Sequence, residues 1–381
     1  MQTVSIHTFK DNRPLSERER RRGLAVLSEV RRCVDARAGF ESQHNLDVRF
    51  SQPGAMWANC VTGLRHLADI MESEPRNFDL LRFNVQIFTG FDLRLYARES
   101  FVSPEVWKAH SEKYGGSLVH PPEEGFDAQL SERIQSAHPV MMECWANLIQ
   151  HTPLDLFFIP PPVCGEVGAV VNGVIVNHDT AVYQERLTLF GWLGIFRFLK
   201  DRIAQEGVVR ILEIGGGYGA LARQIKRIVP NAAYTICDLP ESLYASAAYL
   251  SAACPDLDMH VVTPEAREVD AIDALHFLPN YALPVFAKDY RFDLVINTLS
   301  MAEMSELQAR RYGELVSQMI SGTGLFFEQN QDNSHVPGGL NCKQHLPRYF
   351  LRRNQIPAIP FQTGQGQIDV WSNRVFRLPY N

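Results

Sequence analysis

Glu213, Gly215, Gly217 and Gly219 stand at alternate positions after the apolar run Ile211-Leu212, and a stretch through Ile225 and Ile228 continues at helical spacing. A short strand, a turn rich in glycine and a helix in that order let a ligand touch backbone. Side-chain-free residues allow positive φ and close approach, and the helix presents unpaired N–H groups at its start. Nucleotide-bearing ligands bind at such strand-to-helix crevices. Asp238 closes the next apolar run, Tyr234-Thr235-Ile236-Cys237, where its carboxylate is placed to accept two ribose hydroxyls; Leu239 beside it would pack on a base. Asn297 ends a further apolar run, at the carboxyl edge where open α/β sheets hold their ligands. A dinucleotide fingerprint also threads through Gly215, Gly217 and Ala220 with Asp238 as its acid, so these positions alone leave NAD open.

Glu213, two residues before the first glycine, separates the two ligand classes. The pattern E-x-G-x-G-x-G at Glu213, Gly215, Gly217 and Gly219 resembles the first motif of class I S-adenosylmethionine-dependent methyltransferases, where the acid lies near the amino-acid end of the ligand. Three further blocks are similar to those of a bacterial family of sugar O-methyltransferases: Asp238-Leu239-Pro240-Glu241, His276-Phe277-Leu278-Pro279-Asn280-Tyr281, and the run from Phe292-Asp293-Leu294 through Ser300-Met301-Ala302-Glu303-Met304. The resemblance spans residues 160 to 335. It implies S-adenosylmethionine as cofactor, held by Glu213, Gly215, Gly216, Gly217, Tyr218, Gly219, Asp238, Leu239 and Asn297. It also implies methyl transfer to a hydroxyl of a sugar or sugar-bearing metabolite. Transfer to nitrogen or to a non-sugar natural product, and a non-catalytic methyltransferase-like assembly protein, are the alternatives.

Methyl transfer from a sulfonium is an in-line displacement on carbon, and a hydroxyl acceptor needs a base. Related O-methyltransferases of phenolic hydroxyls place a histidine and an acid after the corresponding strand; here Ala302 falls on the histidine and Glu303 on the acid. Either Glu303 has assumed the base role, with burial raising its pKa, or it caps the helix that follows and another residue is the base. His178 and His335, in polar loops expected near the sheet's carboxyl edge, are the other candidates. The tract Gln329-Asn330-Gln331-Asp332-Asn333 suits sugar hydroxyls or a solvated turn equally. Glu328, Asp332 and Glu303 would be the ligands of a Mg²⁺ if one took part, but no spacing in the sequence gathers them and no metal is expected.

The elements that must position these residues fall into three stretches. Residues 1–160 read as a helical N-terminal domain: Ser16 to Ala36 with a capping box at Ser16 and Glu19, Met56 to Met71, Leu80 to Tyr96, and His138 to His151 with Pro139 in its first turn. Residues 161–200, after Pro160-Pro161-Pro162, read as a hairpin turning at Asn172-Gly173 and a helix capped by Asn177 or Asp179; the resemblance makes this a lid or a plain connector. Residues 201–381 alternate strands and helices, which specifies a largely parallel sheet covered on both faces. Strands are expected at Val209–Ile214, Tyr234–Cys237, Met259–Val262, Leu275–Leu278, Leu294–Asn297 and Gly324–Glu328, and helices at Ala220–Ile228, Glu241–Ala253 and Glu306–Ile320. Gln367–Trp371 and Arg374–Leu378 alternate about Ser372-Asn373 as a closing antiparallel hairpin. The fold class is α/β, a Rossmann-like class I methyltransferase sheet preceded by an α-helical domain.

The 381 residues carry a formal net charge of −6, which argues against a nucleic-acid binder that works by neutralising phosphate. Seven cysteines form no C-x-x-C pair, so neither a disulfide framework nor a zinc site is expected, and a reducing cytoplasm is the natural compartment. No signal peptide and no apolar run of membrane-spanning length stands out. The expected partner is a small hydroxylated acceptor, and the apolar stripes of the helical domain suggest a homodimer.

Overall fold

A computed structural model describes residues 5–85, 126–263, 268–320, 322–357 and 366–373. After a short strand β1 (Ile6–His7), helix α1 (Glu17–Gln43) starts at Ser16, whose hydroxyl accepts the Glu19 N–H while the Glu19 carboxylate accepts the Ser16 N–H. Helix α2 (Ala58–Ser73) follows a turn through Gln52-Pro53-Gly54. Leu81–Asn84 is one helical turn, and the rest of the helix expected from Leu80 to Tyr96 lies outside the described residues from residue 86 on. Helix α3 (Phe126–Ile149) begins well before His138, so Pro139 sits in its interior rather than its first turn.

β2 (Gly168–Val171) and β3 (Val174–Val176) form the expected hairpin, with Asn172 at φ 50° and Gly173 at φ 79°, the left-handed pair that a two-residue turn requires. β1 adds to β2 antiparallel, giving a small three-stranded sheet. Helix α4 (His178–Trp192) is capped by Asn177, which accepts the Thr180 N–H; Asp179 lies inside it. Residues 178–190 are all buried, so the helix runs through the interior. Gly194, at φ 70°, ends it and starts α5 (Ile195–Glu206).

The main sheet comprises β4 (Val209–Ile214), β5 (Ala232–Asp238), β6 (Asp258–Val261), β7 (Ala274–Pro279), β8 (Leu294–Thr298), β9 (Leu325–Asn330), β10 (Arg352–Ile356) and β11 (Gln367–Ser372). Among the described residues its order is β10-β11-β9-β8-β4-β5-β7-β6. β4 through β9 are parallel, and β11 is antiparallel to both β9 and β10. Both edges of β11 are therefore taken, by β9 and by a strand of polar residues that alternation did not single out. The other half of the expected closing hairpin, Arg374–Leu378, lies outside the described residues. Helices α6 (Ala220–Ile228), α7 (Pro240–Ala253) and α8 (Glu306–Met319) complete the crossovers.

The buried apolar residues form two clusters. The larger joins Val26, Leu27 and Val30 of α1 and Leu64, Leu67 and Met71 of α2 to Tyr244, Ala247 and Ala248 of α7 and to Ile211, Tyr234 and Phe277 of the sheet. The smaller lies on the other face of the sheet under α8 and includes Phe50 from the N-terminal segment. Glu241, fully buried at the start of α7, is paired with Arg37 of α1 and, at 2.6 Å, with Arg65 of α2. The helical segment is thus packed and ion-paired directly onto the sheet's own crossover helix.

Candidate active site

Three parallel strands end at one place. β4 and β5 are in register from Val209 with Ala232 to Ile214 with Cys237, and β4 and β8 from Ile211 with Leu294 to Ile214 with Asn297. The glycine turn, Asp238 and the loop after Thr298 therefore emerge side by side, and a cavity opens there. Its walls are Gly215 and Gly217 from the turn, Asp238, Leu239 and Ser242 from the β5–α7 corner, Asn280, Thr298 to Ser300, Glu303 and Met304, and Gln308 and Tyr312 from α8. Gln52, Gly54 and Trp57 close it from the N-terminal segment.

The turn is shaped by conformation and by contact. Gly215, Gly217 and Gly219 have φ of 77°, 57° and 89°, all in the left-handed region. A Cβ on Gly215 would strike the Ser300 side chain, and one on Gly219 would lie 2.6 Å from Leu250 Cδ1. Asp238 faces this turn, its carboxylate accepting the Leu239 amide at 2.8 Å, with the Gly216 and Gly217 amides and the Ser242 hydroxyl near it. Burial pushes its carboxyl up to about 7, against the pull of those donors. Glu303 also faces the cavity. Burial raises its carboxyl, and the Trp57 indole N–H, donating to Oε2 at 2.5 Å, acts the other way. Among the described residues of the cavity wall there are two carboxylates and no lysine, arginine or histidine. Asn280, 2 % exposed, has an Oδ1 that accepts no hydrogen bond.

Other expected site residues are placed elsewhere. Glu213 is 2 % exposed and lies beneath the turn, accepting the Tyr234 hydroxyl at 2.9 Å, with burial pushing its carboxyl up to about 8. The Tyr218 side chain points away from the cavity: it is buried, edge-on to Tyr183 and Tyr249, with the Arg82 guanidinium 3.8 Å over its ring. Arg82 is in turn paired with Glu166 at 2.9 Å and Asp179 at 2.6 Å, so a buried charge network backs the turn. Asn297 is fully buried and occupied: it donates to the Ile214 carbonyl and Ser300 Oγ and accepts from Met301 N and Asn330 Nδ2. It braces the Ser300 loop against the turn and offers nothing to a ligand.

Neither histidine lines the cavity. His178 is buried at the start of α4, and His335 is exposed in the loop after β9. Glu303 does not cap α8; Ser305 does, in a capping box with Gln308. Glu328 is buried against Lys343, Asp332 is exposed and bonded to Ser334, and no group of three metal-ligating side chains converges among the described residues. Gln329 and Asn330 are buried inside the sheet, with Gln329 bonded to Glu185, so neither meets a substrate. Residues 161–200 contribute nothing described to the cavity wall; its cover comes from Gln52 to Trp57, a segment whose sequence carries no motif.

Residues 181–268 match the family model described as an O-methyltransferase domain. The match runs from α4 through the glycine turn and Asp238 to just beyond β6. No curated protein matches the chain. Among solved structures, the bifunctional kinase-methyltransferase WbdD is 14% identical over 48% of this chain, with a TM-score of 0.34, and the chain covers 39% of WbdD. The N-methyltransferase NodS of Bradyrhizobium japonicum is 16% identical over 46% of this chain and 90% of its own, with a TM-score of 0.28. A candidate O-methyltransferase of Nostoc punctiforme is 12% identical over 84% of this chain and 99% of its own, with a TM-score of 0.31. Among the described residues no helix is long and apolar enough to cross a membrane. The glycine turn and Asp238 thus lie within the stretch that matches the O-methyltransferase domain model, on a mostly parallel α/β sheet behind a helical N-terminal region.

Proposed function

We propose that the protein is an S-adenosylmethionine-dependent O-methyltransferase whose acceptor is a hydroxyl of a small molecule, a sugar or sugar-bearing metabolite. The observation that carries this reading is the composition of the one wall that the glycine turn and Asp238 share: two carboxylates and no cation among the described residues. A sulfonium ligand is positively charged, and such a wall favours it, whereas a pyrophosphate would find no cation among these residues. In this reading Gly215 and Gly217 admit the ligand to backbone, Asp238 accepts ribose hydroxyls, and Leu239 packs on the base. Bound there, S-adenosylmethionine supplies an electrophilic methyl group. Glu303 takes the acceptor's proton, its carboxylate made more basic than usual by burial. The sugar class rests on the resemblance of Asp238–Glu241, His276–Tyr281 and Phe292–Met304 to the sugar O-methyltransferase blocks.

Calorimetry with S-adenosylhomocysteine and, separately, with NAD tests the ligand. Saturable binding of the first and none of the second is expected; the reverse would replace this reading by that of a dehydrogenase. Labelled methyl transfer to hydroxylated sugars and to amines then tests the acceptor, and activity confined to amines would remove the O-methyl assignment.

A further inference from the structure

The N-terminal segment does more than cover the cavity, because it is sewn to the loop that carries Glu303. Gln308 Nε2 donates to the Gln52 carbonyl at 2.7 Å and the Phe50 carbonyl at 3.1 Å, and Asn280 Nδ2 to the Ser51 carbonyl at 3.3 Å. A Cβ on Gly54 would lie 2.6 Å from the Glu303 carbonyl oxygen, so the two backbones touch. At the end of this seam the Trp57 indole N–H meets Glu303 Oε2. Among the described residues that is the side-chain hydrogen bond the carboxylate takes, and Oε1 is left without one on a side chain that lines the cavity.

The identity of that partner matters. An arginine or lysine in its place would fix the carboxylate equally well but would lower its pKa by about 1–3 units, weakening it as a base. An indole N–H is a neutral donor that cannot lose its proton in this range, so it orients the group at a smaller cost in basicity. The ring also presents apolar surface to the cavity it lines, a face against which the C–H side of a polyhydroxylated ring packs.

We propose that Trp57 is a positioning residue for Glu303: its N–H fixes Oε2 so that Oε1 receives the proton of a neutral, hydroxylated acceptor held in the half of the cavity that the N-terminal segment builds. This rests on the methyl-transfer reading above. In the step, the acceptor oxygen forms a bond to the methyl carbon, the carbon–sulfur bond breaks with its electron pair going to sulfur, and the hydroxyl proton passes to Glu303 Oε1. Among the described residues, the other titrating groups near Glu303 are Cys60 of α2, whose thiol is raised by burial with Glu303 as a neighbouring charge, and Asp238 and Tyr312, which line the same cavity.

The test is an infrared pH titration of carboxyl groups in the full chain loaded with S-adenosylhomocysteine, with Glu303→Gln as the blank that isolates the Glu303 band from Asp238. Trp57→Phe removes a hydrogen bond to the ionised form, so the Glu303 midpoint rises by about one unit, a tenfold change in proton affinity. Trp57→Gln returns an N–H donor and brings the midpoint back toward that of the parent. With labelled methyl donor and a mixture of neutral hexoses and 6-deoxyhexoses, Trp57→Phe lowers turnover and moves the acid limb of the pH profile upward, while S-adenosylhomocysteine affinity stays within threefold. An unchanged midpoint in a variant that still binds S-adenosylhomocysteine overturns the Trp57 assignment alone. Failure of the parent protein to bind S-adenosylhomocysteine overturns the underlying methyl-transfer reading instead.

Discussion

Asp238 is where protonation and ligand binding meet. Its carboxyl, raised to about 7 by burial, is part protonated at neutral pH before any ligand arrives. Accepting two hydroxyls is work for the ionised form, so affinity for S-adenosylhomocysteine falls as pH drops through 7, approaching tenfold per unit below it. Asp238→Asn removes the ionisation. A hydrogen bond to a charged group contributes about 1.5–3 kcal/mol, so this variant binds roughly ten- to hundredfold more weakly above pH 7 and shows a flat profile. Calorimetry at pH 6 and pH 8 on both proteins measures this, and a parent affinity that does not change between the two would remove Asp238 from the site. That a carboxylate stands here was legible in the sequence, since an acid closing the strand after a glycine turn has few other places to go. The direction of Tyr218 was not: in the turn it looked like a ligand contact, but only the tertiary fold, with Arg82 over its ring, decides which side a residue between two left-handed glycines faces.

The glycine turn is held from behind by an element far away in sequence. Arg82, on the helical turn Leu81–Asn84, joins Glu166 ahead of the hairpin to Asp179 at the start of α4 and stacks on Tyr218. Arg82, Glu166 and Asp179 are at least nine-tenths buried, so removing Arg82 takes from both carboxylates the cation they share. Arg82→Met is expected to cost about 3–5 kcal/mol of stability. Because Tyr218 lies between Gly217 and Gly219, it should also weaken S-adenosylhomocysteine binding. Thermal melts and calorimetry together check both; a destabilised variant with unaltered affinity would reduce the network to a brace for the hairpin. The parallel strands were legible because burial on both faces writes them as apolar runs: β4 is as expected to the residue, β5, β7 and β8 extend by one to three residues, and β9 starts one residue later and ends two later than expected. β10, Arg352-Arg353-Asn354-Gln355-Ile356, was illegible for the converse reason, since an edge strand that is largely solvent-exposed has no pattern to declare. The cover of the cavity was equally hidden: Gly54 and Trp57 meet Glu303 across some 250 positions of chain, a contact no local pattern records.

At the scale of the molecule, the change of pattern near residue 160 divides the sequence, yet the apolar core crosses that division. α1 and α2 bury their apolar faces on α7, the helix that carries β5 toward β6. The fully buried Glu241 of α7 takes its counter-charges from Arg37 and Arg65 on those same two helices. Further ties run from the Tyr281 hydroxyl to the Cys33 carbonyl at 3.0 Å and from Arg22 to the Pro255 carbonyl at 2.7 Å. Separating the helical segment from the sheet would expose the apolar face of α7 and part a buried carboxylate from both its cations, so neither half has a low-energy state without the other. Scanning calorimetry should therefore show one transition over the whole chain, with calorimetric and van't Hoff enthalpies equal. S-Adenosylhomocysteine at about a hundred times its dissociation constant should shift that single transition upward by close to 2.7 kcal/mol in stability. Two resolved transitions, with only one moved by the ligand, would mean that the helical segment folds by itself and that the wall it lends to the cavity is docked onto a finished site rather than built with it.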